Sequence, residues 1–318
     1  MKKQILYNTV GCEPVAGFKD NTFFPAEIYE KYEFVKSNNP DFVFYSAFIS
    51  WPKDIPLYNN AVKIFFSGEN INPDFIFFDY WVGFDFLTYG DRYFRYPLCF
   101  WEGEYRDFVF EQCDKKEHFC DFIYNHIDTK KIRKSFYEEL SKYKEVSSFG
   151  KLFNNTGIYV DMKHKNDVQK KSKFSIVIES CDNDGFITEK IIHALKSGSI
   201  PIYFGTSKVT EYFNSKRFID ANQYNNDFNQ IINRIKEIDN DEELYKSIMS
   251  EPIYANGFSP EKAREQYIKF LENIFDRGCS IRRDRHYRNG SYFKNFRKYK
   301  KFTLFVRASN FLDRVFRR

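Results

Sequence analysis

The chain reads as an α/β protein of two Rossmann-like domains, each a parallel sheet covered by helices. Three observations predict this class. Short runs of Val, Ile, Phe and Tyr recur along the chain, apolar on successive residues as strands buried on both faces require. Segments with apolar residues three or four apart lie between some of them. The strand–helix alternation occurs twice, and 318 residues are enough for two buried cores.

In chain order, the expected strands are QILYNTV, DFVFYSAFI, VKIFFSG, HFCDFIYN, FSIVIES and SIPIYFG. The expected helices are FPAEIYEKYEF, TKKIRKSFYEELSKY and GFITEKIIHALKSG. The second of these has Ile132, Phe136, Leu140 and Tyr143 at helical spacing, and the third has Ile187, Ile191, Ile192 and Leu195. Gly198 is placed to end the third helix. The polar stretch EQCDKKE, residues 111–117, separates the two sets. This gives an N-terminal domain over 1–115, a C-terminal domain over 116–280 and a basic tail over 281–318, the two domains facing across a cleft.

Composition excludes global disorder: 42% of residues are hydrophobic and 29% charged. Aromatic residues reach 20%, which suits a core and, in part, a sugar site. The six cysteines show no zinc spacing and no CxxC pair, so reduced, mostly buried thiols of a cytosolic protein are expected. The N-terminus lacks a long apolar stretch, so no signal peptide is expected, and no run of about 18 apolar residues is present.

The net charge of +5 is unevenly placed. Residues 281–318 carry 13 Lys and Arg against two Asp, while the rest carries 36 basic against 42 acidic residues. In the tail, Phe302, Phe305, Val306, Phe311, Leu312 and Val315 can share a helix face among the cations. A basic amphipathic helix of this kind fits an anionic membrane surface. A solvated tail is the plain alternative. RNA binding has only charge in its favour, with no stacking module, so no nucleic-acid partner is expected.

Ligands of open α/β sheets bind beyond the carboxyl ends of strands. Three such places stand out: SGEN after VKIFF, the Asn125 region after HFCDFIY, and ESCDNDGFITEK after FSIVI. In the last, a loop of Asp, Asn and Gly runs into a helix whose first turn holds a cation, which the helix dipole disfavours by a few tenths to about 1 kcal/mol. A bound anion would explain it: free amides at the helix start hold phosphate, Lys190 adds charge and Glu189 accepts from ribose hydroxyls. Phe186 can cover a sugar or base. Taken alone, the residues fit a solvent-exposed Glu–Lys pair on a packing helix better. No GxGxxG fingerprint or Walker loop occurs.

The segment FSIVIESCDNDGFITEKIIHALKSGSIPIYFGTSKVTEYFNSKRFID strongly resembles the α-1,3/4-fucosyltransferases, glycosyltransferase family ten. The matching residues are Glu179, Gly185, Phe186, Thr188, Glu189, Lys190, Ala194, Pro201, Ile202, Tyr203 and Gly205. FFSGENINPDFIFFDYWVGFD followed by DRYFRYPL also looks like the family's bacterial members. The likeness runs in order over roughly residues 60–235.

The resemblance implies a GT-B type fold and GDP-fucose as donor. It implies inverting transfer of L-fucose from GDP-β-L-fucose to a hydroxyl, O3 of GlcNAc or Glc, of a cell-surface glycan such as an O-antigen. Glu69 stands where the base would be, in a partly desolvated place, with Gly68 letting the backbone turn close to substrate. Read alone, Glu69 fits a turn carboxylate capping nearby amides better, and the resemblance reverses that order. The implied donor set is Asn125, Lys151, Glu179, Gly185, Phe186, Thr188, Glu189 and Lys190. Phe186 departs from the family's Tyr, Tyr124 stands where Ser is frequent, and Phe153 stands where some members carry Arg. The second phosphate cation is then Lys151 or missing.

Arg92, Arg95 and Trp101 combine charge with aromatic faces and suit a glycan acceptor. An aromatic core edge with a salt bridge from Asp91 fits them as well. The five His lack metal-site spacing, and although Asp182, Asn183 and Asp184 can ligate a hard cation, catalysis without a metal or other cofactor is expected. The expected location is the cytoplasm, peripheral to the inner face of the membrane. The rival readings are a transferase for another GDP-sugar and a non-catalytic glycan-binding protein.

Overall fold

The computed structural model describes residues 2–12, 23–49, 58, 60–101, 116–128, 130–161 and 164–278. The expected tail lies outside the described residues. The elements of the first half are β1 (Lys3–Val10), α1 (Ala26–Lys31), β2 (Tyr32–Lys36), β3 (Phe42–Tyr45), β4 (Val62–Phe66), β5 (Tyr80–Gly83) and β6 (Tyr93–Arg95). They give a sheet of order β2-β1-β3-β4-β5-β6, parallel in the β1–β2, β1–β3 and β3–β4 pairs. The second half contains β7 (His118–Phe122), α2 (Ile132–Ser141), β8 (Val146–Ser148), α3 (Lys165–Lys171), β9 (Ser172–Ile178), α4 (Glu189–Lys196), β10 (Ile200–Phe204) and β11 (Ile219–Asp220). It continues through α5 (Phe228–Asn240), α6 (Glu242–Met249) and α7 (Pro260–Arg277). Its sheet, β11-β10-β9-β7-β8, is parallel throughout. The α/β class with two parallel sheets is therefore as the sequence predicts.

The division by compactness is drawn differently from the expected boundary near residue 115. One unit holds the described residues of Met1–Phe66, Pro73–Trp81 and Leu271–Arg318, and the other holds Ser67–Asn72 and Val82–Phe270. Hence the end of α7 packs with the first unit. There Phe275 meets Phe24, Phe34 and Phe44 at centroid distances of 5.7, 5.5 and 6.3 Å. The aromatic stretch after β5 packs with the second unit, where Tyr96 stacks on Tyr267 at 4.2 Å. Residues 67–72, which contain Glu69, belong to that second unit too.

The abundance of Phe and Tyr is mainly a matter of core. In the first unit Phe65 stacks on Trp81 at 3.9 Å, both fully enclosed. In the second unit Phe122, Phe136, Leu140, Phe174, Ile202 and Ile235 are shut off from solvent. Every residue of β4 and of β10 is buried, the pattern of strands covered on both faces. The expected helix FPAEIYEKYEF stops at Lys31, and Tyr32–Lys36 continues as β2. Tyr32, Phe34 and Val35 favour an extended chain, and pairing with β1 outweighs the helical spacing. The third expected helix starts at Glu189, with Thr188 as its cap, and Gly198 follows its end at φ 72°.

The second sheet has the doubly wound order 2-1-3-4-5, counted from β7. Its direction of winding reverses between β7 and β9, and a crevice opens where two neighbouring strands send their connections to opposite sides. The segments that leave those two strands begin at Ile123 and Glu179.

One buried group sets a pH dependence. Asp121 on β7 accepts from the Ser175 hydroxyl at 2.5 Å, and burial pushes its carboxyl up to about 6 from 3.8, against the pull of Ser175, Ser172, Lys165 and Lys116. The folded chain thus holds this proton where the unfolded chain releases it, and the stabilisation is lost as pH rises from about 4 through about 6. The full effect is about 3 kcal/mol. Asp121→Asn is expected to flatten this slope in urea unfolding at pH 4 to 7 and to gain on the wild type as pH rises. A variant that loses ground at pH 7 would show the charged form to be favoured.

Candidate functional site

The site builds on one carboxylate at the end of β9. Glu179 has a fully enclosed side chain. Its Oε1 accepts from the Thr188 amide at 2.8 Å, and both oxygens lie within 2.9 Å of the Thr188 hydroxyl. Its Oε2 accepts from Lys190 Nζ at 3.2 Å, and Lys190 Nζ also donates to Thr188 Oγ1 at 2.8 Å. Glu189 Oε1 stands 3.8 Å from the same ammonium. Two of the three N–H bonds of Lys190 are thereby committed and one is left over. Burial opposes the charge of Lys190, but Glu179 and Glu189 outweigh it and hold the ammonium above the ordinary lysine range. Burial likewise opposes the charge of Glu189, yet Lys190, Lys165 and His193 bring its carboxyl below the ordinary range.

The loop between Glu179 and Thr188 is tied down on both sides. Asp182 pairs with Lys130 at 2.8 Å, which lowers its carboxyl. Asn183 Nδ2 donates to Asn70 Oδ1 at 2.7 Å. Gly185 sits at φ 83°, and a Cβ there would lie 2.3 Å from the Phe84 carbonyl oxygen, so glycine is required twice over. Phe186 is buried edge-on against Phe84 at 4.9 Å. This packing has no use for the hydroxyl of the family's Tyr. Since Asp182 and Asn183 are engaged elsewhere, the Asp-Asn-Asp triplet is not assembled as a cage. No group of three or more metal-ligating side chains occurs among the described residues.

On the β7 side, the Tyr124 hydroxyl fills the crevice. It accepts from the Ile178 amide at 2.6 Å and donates toward the Ile176 and Ile178 carbonyls. The Arg133 guanidinium covers its ring at 4.3 Å. Next to it, exposed Asn125 accepts from the Lys151 amide at 3.0 Å and reaches the Tyr159 hydroxyl at 3.5 Å. Gly150 makes this approach possible, for a Cβ there would lie 2.1 Å from the Tyr124 carbonyl oxygen. Asn125 and Lys151 are therefore brought together, with Lys151 Nζ 5.8 Å from the Tyr159 ring centre. Phe153, where a cation stands in some family members, adopts φ 56° and stacks on Tyr137 at 5.0 Å as part of the core edge.

A cation that sequence reasoning missed lies behind the pair. Lys165, the first residue of α3, is buried and interacts electrostatically with Glu189, Lys190, Asp121 and Glu179. Burial lowers its ammonium. It sits in a lysine-rich run, and nothing in the spacing separates this lysine from its exposed neighbours.

The expected residues thus fall into two groups. Glu179, Gly185, Phe186 and Thr188 are buried and form the frame. Glu189 and Lys190 are half-buried, and Asn125 and Lys151 are exposed. Glu179, expected in the donor set, has its side chain enclosed and taken up by Thr188 and Lys190.

Glu69 is exposed rather than desolvated. Its carbonyl accepts from the Ser67 hydroxyl at 2.7 Å and the Ile71 amide at 2.8 Å, which fixes the turn and leaves the side chain outside it. Gly68 has no left-handed backbone, and a Cβ there would meet only Leu98 at 3.4 Å, so its expected role in the turn is not required by geometry. The Asn183–Asn70 bond joins the Glu69 turn to the 182–188 loop within one compact unit.

The three residues expected on the acceptor side part company. Arg92 lies over the exposed Tyr89 ring at 5.4 Å. Trp101 Nε1 donates to the Tyr96 carbonyl at 2.9 Å. Arg95 turns inward toward Phe84 and Gly185.

Residues 12–102 match the alpha-(1,3)-fucosyltransferase FucT N-terminal domain, and residues 113–251 match the glycosyltransferase family 10 (fucosyltransferase) C-terminal model. The chain is similar to the alpha-(1,3)-fucosyltransferase FucT of Helicobacter pylori, 29% identical over 284 residues, covering 77% of this chain and 58% of that protein. It is also similar to a putative fucosyltransferase of Acanthamoeba polyphaga mimivirus, 34% identical over 171 residues, covering 50% of this chain and 28% of that protein. The chain therefore spans less than two thirds of the length of these relatives. Its fold is similar to a crystal structure of alpha1,3-fucosyltransferase, with TM-score 0.69 and 23% identity over 86% of this chain and 91% of the other. A further structure of such an enzyme with GDP-fucose gives TM-score 0.67. With the two family models matched in order along it, the chain belongs to glycosyltransferase family ten, the fucosyltransferases.

Proposed function

We propose that this chain moves L-fucose from GDP-β-L-fucose to a glycan hydroxyl with inversion at the anomeric carbon. The observation that carries the reading is the Asn183–Asn70 hydrogen bond, which ties the turn bearing Glu69 to the loop that leads into Glu189 and Lys190. Family membership and the likeness to a fucosyltransferase structure with GDP-fucose support the choice of donor.

In this reading the acceptor hydroxyl attacks the anomeric carbon, its proton passes to the Glu69 carboxylate, and the bond to the β-phosphate oxygen breaks. Charge developing on GDP meets the Lys190 ammonium and the positive end of the α4 dipole. Glu189, kept ionised by Lys190 and Lys165, accepts from the ribose hydroxyls. Asn125 and Lys151 flank the nucleotide from the β7 side. The acceptor position is O3 of GlcNAc or Glc in a cell-surface glycan. No metal takes part, because ammonium groups and amides serve the leaving group.

Glu69→Gln, assayed as GDP release from GDP-fucose, is expected to lower kcat by roughly 100-fold or more while GDP affinity is kept. The wild type should keep its rate in excess EDTA. Unchanged kcat in the variant removes the base role, reversible loss in EDTA removes the metal-free one, and release from another GDP-sugar in preference to GDP-fucose moves the donor assignment.

The basic residues 281–318 are proposed to hold the chain to an anionic membrane at the cytosolic face, near lipid-linked acceptors. No helix among the described residues is long and apolar enough to cross a membrane. Co-sedimentation with phosphatidylserine or phosphatidylglycerol vesicles, lost at high salt and after deletion of residues 281–318, is expected. Failure of the intact chain to sediment would refute the attachment.

A further inference from the structure

Arg95 combines features that neither an acceptor group nor a packing residue requires. Its Nε donates to the Phe84 carbonyl at 2.8 Å. Its guanidinium carbon lies over the Phe86 ring at 3.9 Å and over the Tyr212 ring at 4.9 Å. Its Nη2 is enclosed without a hydrogen-bond partner. Burial pulls the guanidinium below the ordinary arginine range, against Cys99, Tyr93, Glu211 and Asp85. An apolar side chain would fill this place without that penalty.

What Arg95 holds is the backbone beneath the 182–188 loop. The Phe84 carbonyl that it grips is the atom that a Cβ on Gly185 would strike at 2.3 Å, and Arg95 Nη2 itself lies 2.9 Å from that Cβ position. The Phe84 ring supports Phe186 from the side. Arg95 and Phe84 together form the floor on which Gly185 and Phe186 rest. Two residues further on are Thr188, which caps α4, and the Glu189–Lys190 pair. Lysine cannot reproduce this floor. It lacks the planar fork, so it has no Nε to donate to the Phe84 carbonyl while its charge lies over the Phe86 and Tyr212 rings.

We infer that Arg95 is a positioning residue for the donor loop, setting the height of Gly185 and Phe186 and through them the placement of Glu189 and Lys190. The inference rests on the reading of this loop as the GDP-sugar loop. It replaces the acceptor role suggested by the sequence.

Hydrogen–deuterium exchange of the full chain, with and without GDP, tests it in Arg95→Lys. Amides of residues 182–188 are expected to exchange several-fold faster, those of α5 at the wild-type rate, and GDP to restore protection. GDP should bind about tenfold more weakly, with the acceptor KM within twofold of wild type. Phe86 is half exposed, so Phe86→Leu leaves the core intact and should shift the same amides in the same direction by less. Unchanged loop exchange in both variants overturns the inference, as does a rise in acceptor KM alone. Should Arg95→Lys unfold, Phe86→Leu decides by the same readout. A wild type that binds no GDP removes the donor reading of the loop, while the exchange comparison without nucleotide still decides the role of Arg95.

Discussion

The enclosed carboxylate of Glu179, at the carboxyl end of a central strand, takes the amide and hydroxyl of Thr188 and the ammonium of Lys190. A charge in that position is tolerated only while all three donors are present, since breaking a buried pair costs about 3–5 kcal/mol. The loop of eight residues from Ser180 to Ile187 is thus closed at both ends by one side chain. Its inner course is set by Gly185 against the Phe84 carbonyl and by Asn183 on Asn70. The cation in the first turn of α4, unfavourable to the helix dipole by itself, is held there by two carboxylates.

That arrangement has an electrostatic consequence. Glu179 and Glu189 offset Lys165 and Lys190, and the four formal charges sum to zero. Lys151, exposed on the β7 side, adds one positive charge beyond this balance. In the proposed reading, what a diphosphate meets is the Lys190 ammonium, held in place by Glu179 and Thr188, together with the positive end of the α4 dipole. In that reading the frame is decisive: the enclosed Glu179 and the half-buried Arg95 govern where Glu189 and Lys190 stand.

Much of this was legible in the chain itself. Runs such as VKIFF and SIPIYF announced strands buried on both faces, and the Glu-Lys pair after an Asp-Asn-Asp-Gly loop stands at the start of a helix, as the spacing predicted. Roles within the site were less legible. Glu179 reads like any strand-end carboxylate, because the enclosure that makes it structural comes from a threonine nine residues away. Arg95 looked like an acceptor group because charge beside aromatics is the same pattern whether a guanidinium faces out or is pressed between Phe86 and Tyr212. Lys165 was hidden among other lysines. The helix expected through Phe34 failed because pairing with β1, a contact distant in sequence, outweighed local spacing.

The account stands on Glu179 acting as a clamp rather than as a charge. Titration calorimetry of GDP against the wild type and Glu179→Gln separates the two, because the substitution keeps the shape and removes one negative charge beside Lys190. A clamp predicts binding about tenfold weaker in the variant, as the loop and Lys190 lose their fixed direction. Equal or tighter binding, as expected if relief of a nearby negative charge were all that changed, would contradict it.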